Sequence, residues 1–147
     1  MISPYTDEYF MKLAFQEAQK AFELGEVPIG AVVVCNNQVI ARAHNLTEQL
    51  TDVTAHAEMQ AITAASNFLG GKYLKGCTLY VTLEPCTMCG GALYWSQIDK
   101  IVFAARDENR GAGRHAGIYH PKTKIEHGVM EQECAELVRT FFAMRRN

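Results

Sequence analysis

The sequence predicts an α/β sandwich built on a partly parallel sheet. Three observations predict it. Residues 6–24 carry apolar side chains at three- and four-residue steps, two β-branched runs meet at Asn36-Asn37, and strand-like and helix-like segments alternate after residue 55.

The elements follow in order. In residues 6–24, Phe10, Leu13, Ala14, Ala18, Ala21 and Phe22 form one helical face, with Thr6 or Asp7 as N-cap and Gly25 as the stop. Residues 29–35 and 39–43 read as a hairpin around Asn36-Asn37. Residues 44–54 are polar and loop-like. Residues 55–68 return to helical period through Met59, Ile62 and Ala65, ending at Gly70-Gly71. A strand over 78–83 precedes a helix expected to open at Pro85 and run to Ser96, proline being favoured in a first turn. Residues 101–105 form a further strand, and 108–123 a loop rich in glycine and cations. A short strand over 124–129 precedes a last helix over 131–145, with Cys134, Leu137, Val138, Phe141 and Phe142 on its apolar side. The 147 residues are expected to form one domain, 1–147.

Composition narrows the classes of function. The hydrophobic fraction of 48% and charged fraction of 20% are those of a soluble globular protein, and no apolar run is long enough to span a bilayer. The first residues lack a basic start and an apolar stretch, so a cytoplasmic, non-membrane protein is expected. A net charge of −2 argues against non-specific coating of nucleic acid but leaves room for local basic patches. Such a patch is visible in Arg106, Arg110, Arg114, His115, Lys122 and Lys124, with Arg139, Arg145 and Arg146 near the C-terminus. Five cysteines with no secretion signal do not read as a disulfide framework.

Cys86 and Cys89 stand three apart at a helix start, a place that favours the thiolate form. Alone, the pair reads as a redox motif or as half of a structural zinc site as readily as it reads as part of a catalytic site. His56, also near a helix start, supplies a third donor. Cys35, Cys77 and Cys134 lie in or beside apolar segments and read as small buried hydrophobes. Three protein ligands and a fourth position left to solvent is the catalytic zinc pattern. Glu58 is two residues from His56, near enough to exchange protons at that fourth position without ligating the metal. H-A-E followed by P-C-x-x-C, each opening a helix, matches the zinc base-deaminase signature. Zn2+, one ion per subunit with bound water or hydroxide, is the expected cofactor, and Glu58 the catalytic acid and base. A competing reading is a zinc-stabilised binding module, which requires a fourth protein ligand such as His44 or Cys77.

Nearly the whole chain resembles the bacterial tRNA-specific adenosine deaminases, within the cytidine deaminase fold. The likeness rests on Glu26-Val27-Pro28-Ile29-Gly30-Ala31-Val32, Asn45, Thr54-Ala55-His56-Ala57-Glu58, the segment from Leu79 to Cys86, Val102-Phe103-Ala104-Ala105-Arg106-Asp107, and Phe141-Phe142-Ala143-Met144-Arg145-Arg146. Val53 departs from it, standing where that family commonly has proline. The resemblance implies a three-layer α/β/α fold with a central mixed five-stranded sheet. It implies hydrolytic conversion of the wobble adenosine of a tRNA anticodon to inosine, by a homodimer that binds the anticodon loop. By matching position, Asn45 would hydrogen-bond the target base and Ile29 would pack on its face. Glu84 would shape the site through its backbone, Asp107 would contact a nearby sugar, and Phe142, Arg145 and Arg146 would meet the anticodon loop. The same metal machinery serves the alternative, a deaminase of free nucleobases or nucleosides such as guanine, cytosine or cytidine.

Overall fold

The computed structural model describes residues 4–145. A helix, α1 (Asp7–Glu23), leads into strands β1 (Gly30–Cys35) and β2 (Gln38–His44). Helix α2 (Ala57–Leu69), strand β3 (Cys77–Leu83), helix α3 (Thr87–Ser96) and strand β4 (Lys100–Ala105) follow. A 3-10 turn at Ala112–Arg114, strand β5 (Lys124–His127) and helix α4 (Glu131–Arg145) complete the order. The five strands form one mixed sheet in the order β2-β1-β3-β4-β5. β1 is antiparallel to β2 and β3, whereas β3, β4 and β5 run parallel.

Period-2 alternation in the strands divides the core into two. Ala31, Val33, Leu79, Val81, Ile101 and Phe103 face α2 and α3, packing with Ala57, Ala61, Ala65 and Leu93. Val32, Val34, Tyr80, Val102 and Ala104 face the other way, packing with Phe10, Met11 and Ala14 of α1 and Cys134 of α4. The three layers expected from the resemblance are therefore present.

Local chemistry explains the boundaries. Thr6 caps α1 by accepting from the Tyr9 amide at 3.1 Å. Asn36 and Asn37 adopt φ of 52° and 61°, the left-handed pair that a tight two-residue hairpin needs. Gly30 is where α1 presses on β1: a Cβ there would lie 2.1 Å from the Ala14 carbonyl oxygen and 2.4 Å from the Ala18 nitrogen. One expectation is corrected. Pro85 does not open α3, because Cys86 takes an extended conformation (φ −74°, ψ 176°) as N-cap and the helix begins at Thr87. Likewise His56 is the N-cap of α2, not part of its first turn.

β3 and β4 end at Leu83 and Ala105, the same end of the sheet at which β1 begins and β2 finishes. The residues after those parallel strands, with those flanking the hairpin, gather at the carboxyl ends of the strands, where open α/β sheets place ligands.

Candidate active site

His56 and Cys86 are both helix N-caps whose side chains make no capping hydrogen bond, so both are free to turn toward the gap between α2 and α3. Cys89, in the first turn of α3, joins them. His56 Nδ1 lies 3.7 Å from Cys86 Sγ and 3.5 Å from Cys89 Sγ. Tetrahedral zinc with ordinary bond lengths places a nitrogen and a sulfur ligand about 3.6 Å apart, so the three donors fit that ion. Among the described residues they are the only cluster of three or more such donors. The fourth ligand that a binding module would require is not at hand. His44 Nδ1 faces the Asn45 carbonyl, and Cys77 lies at the far end of β3, its thiol donating to Lys75 O at 3.7 Å.

Electrostatics in the cluster follow from this crowding. The Cys89 thiol and the His56 ring stabilise the Cys86 thiolate, bringing its pKa down to about 4. That thiolate in turn raises His56, and with burial it pushes Cys89 upward. Glu58, 3% exposed, has no hydrogen-bond partner for its Oε1, and burial lifts its carboxyl to about 7. A buried carboxyl with one oxygen left without a partner, beside three metal donors, is a group held ready for a proton.

Asn45 shares this isolation. It is 5% exposed, and its Oδ1 is unpartnered. A cavity of about 160 Å³ is lined by Val27, Ile29, Asn45, Thr47, His56 and Ala57, so Ile29 and Asn45 do converge on a metal ligand. A wider groove of about 740 Å³ shares the Val27 and Ile29 wall and reaches Asp107, Arg110, Arg139 and Phe142. A third opening, of about 690 Å³, exposes His56 and Cys86 between Val53, Arg110 and His115.

Glu84 acts through its side chain, not through its backbone alone as expected. Its buried carboxylate accepts from the amides of Asp107 at 3.0 Å and Gly113 at 2.9 Å, tying the loop after β4 to the Cys86 segment. Gly111 and Gly113 make room for it, since a Cβ on either would lie within 2.6 Å of the Glu84 carboxyl group. Asp107 caps the turn that follows, accepting from the amides of Asn109 and Arg110. Phe142, expected on the apolar side of α4, is instead 41% exposed and lines the groove. Arg145 turns elsewhere, donating to the Gly25 carbonyl and lying over the Phe141 ring. Arg146 lies outside the described residues.

Two neighbours escaped the sequence reading. Glu26, fully buried, accepts from Gln49 N at 2.7 Å, Glu48 N at 3.1 Å and Thr47 Oγ1 at 3.4 Å, pinning the turn that follows Asn45. The Tyr119 hydroxyl is buried without a partner, and burial together with the negative charge of Glu84 and Glu58 raises its pKa. A carboxylate among apolar neighbours signals Glu26 in hindsight. Nothing local signals Tyr119.

The family model of the cytidine and deoxycytidylate deaminase zinc-binding region matches residues 4–105, which hold all three donors and Glu58. The chain belongs to this zinc-dependent deaminase family. Within it, the chain is 46% identical to a tRNA-specific adenosine deaminase of Aquifex aeolicus, over 95% of this chain and 96% of that one. The Bacillus subtilis protein of the same description is 47% identical, over 92% and 88%. A solved structure from a study of A-to-I editing by tRNA:A34 deaminases superposes with a TM-score of 0.82 at 43% identity, covering 88% of this chain and 98% of that one. A guanine deaminase from Bacillus subtilis is more distant, with a TM-score of 0.67 at 36% identity over 78% and 71%. The deaminase fold and the zinc site thus agree with the tRNA-specific branch over nearly the full chain.

Proposed function

We propose that this deaminase hydrolyses the wobble adenosine of a tRNA anticodon to inosine, releasing ammonia, as a single-domain cytoplasmic enzyme that works as a homodimer. The observation that supports the chemistry is the buried Glu58 carboxyl, with its Oε1 unpartnered, beside the His56, Cys86 and Cys89 donors. Zinc held by those residues supplies the Lewis acidity that makes water a nucleophile near neutral pH. Glu58 takes the proton of the attacking water on its free oxygen. It then delivers protons to the ring nitrogen and to the departing amine, a role suited to a carboxyl whose pKa is lifted to about 7.

The small cavity takes the flipped base. There Asn45 hydrogen-bonds it and Ile29 packs on its face. Glu84 holds the 107–113 loop in place, and Asp107 stands where a flanking sugar passes. The open groove beyond favours a polynucleotide over a free base: Phe142 offers a stacking face, and Arg110 and Arg139 offer charge to the backbone. Arg145 and Arg146 belong to this proposal by resemblance, as residues that meet the anticodon loop. Among the described residues no helix is long and apolar enough to cross a membrane.

Zinc-loaded protein is offered a transcribed tRNA with adenosine at the wobble position, beside free adenosine, guanine, cytosine and cytidine. Inosine in the tRNA with the small molecules untouched supports the proposal. Turnover of a free base with unchanged tRNA would move the enzyme to nucleobase salvage.

A further inference from the structure

We propose that Cys35 and Cys77 form a reversible disulfide site, outside the metal centre, that reacts with low-molecular-weight disulfide oxidants. The two residues face each other across the antiparallel β1–β3 pair. Directly opposed residues of such a pair have Cα atoms about 4.5–5.5 Å apart, within the range of about 4.4–6.8 Å that a disulfide takes. Opposed side chains point to one face of the sheet, and both cysteines belong to the core beneath α2. Cys35 packs against the core cluster that contains Cys77. Both are free thiols here.

Their position sets them apart from the other cysteines. β1 ends at Cys35 and β3 begins at Cys77, at the opposite end of the sheet from Cys86 and Cys89. Cys134 lies on the other side of the sheet, in the α1–α4 layer. The pair is flanked by the Asn36-Asn37 turn and by Gly76, whose φ is 76°.

Access orders the chemistry. Cys35 is half-buried and Cys77 fully buried, so Cys35 meets the oxidant first. Burial, with Cys35 alongside, pushes the Cys77 thiol up to about 12, so its thiolate is scarce and its attack is the slow step, helped by the mixed disulfide being held directly opposite it. The Cys35 thiolate attacks one sulfur of oxidised glutathione and displaces one glutathione thiolate. Cys77, losing its proton, then attacks the Cys35 sulfur of the mixed disulfide and displaces the second. The protein loses two protons and two electrons, and the oxidant becomes two thiols. The bond closes a ring around residues 36–76, the segment that carries Asn45, His56 and Glu58. Constraining that loop in the unfolded chain stabilises the folded protein.

Zinc-loaded protein is incubated with oxidised glutathione, then alkylated, digested and mapped, with zinc content followed throughout. The expected result is an intact mass lower by two hydrogens, a peptide joining Cys35 to Cys77, retained zinc and a Tm raised by about 5–10 °C, all reversed by dithiothreitol. The Cys35→Ser protein is expected to keep its zinc and show neither the link nor the rise. Cys35 and Cys77 both still open to alkylation after unfolding would overturn the inference. So would a Cys86–Cys89 link with loss of zinc and no Cys35–Cys77 peptide.

Discussion

Glu26→Gln perturbs the wall of the candidate pocket without touching it. Glu26 is fully buried and gathers three donors from the turn after Asn45. In the variant one oxygen becomes an amide donor. It then faces either the Gln49 amide, now 2.7 Å from a carboxylate oxygen, or the Glu48 amide at 3.1 Å. One charge-assisted hydrogen bond is lost, worth about 1.5–3 kcal/mol, and the survivors weaken as the charge disappears. Glu48 and Gln49 are exposed residues but their amides point at the buried Glu26 carboxylate, so water offsets only part of the lost pairing. The sum is about 3 kcal/mol, which lowers Tm by about 6–12 °C in a domain of this size. Thermal unfolding of the zinc-loaded protein measures it. Steady-state kinetics with the tRNA substrate are expected to show a fall in kcat/KM, because Asn45 loses its register. A Tm within a degree of the parent, with unchanged kinetics, would refute the clamp.

Two more perturbations test other parts of the account. Gly30→Ala drives a Cβ into the backbone of α1 and costs about 3 kcal/mol or more, which a urea unfolding series would register as a lower midpoint. Metal affinity is expected to rise with pH, since Cys89 and His56 both hold protons more tightly than usual and must release them to ligate. Competition with a chelator from pH 6 to 8 would show this, and chelation itself is expected to lower Tm.

The donors were legible because their signals are local. H-A-E and P-C-x-x-C each place their residues on one helix start, so spacing alone carries the geometry. The layers were legible because strand alternation sorts Val32 from Val33 and Tyr80 from Leu79. The carboxylate clamps were not. Glu26 and Glu84 bond to backbone amides 22–29 residues away, and an amide donor leaves no mark in the side-chain sequence. Phe142 was misjudged for a related reason. Consecutive residues of a helix point about 100° apart, so when Phe141 turns inward against Phe22 of α1, Phe142 is carried round toward the groove. Pro85 falls outside α3 because Cys86 is extended and the helical backbone begins only at Thr87.

The central claim is that Glu58 moves protons beside a metal it does not ligate. Zinc-loaded Glu58→Gln, assayed for bound zinc and for inosine in the wobble-adenosine tRNA under single-turnover conditions, tests this directly. The account predicts parental zinc content, a preserved fold and inosine formation slowed at least about 100-fold. Inosine formed at close to the parental rate, or loss of the zinc with the substitution, would contradict it.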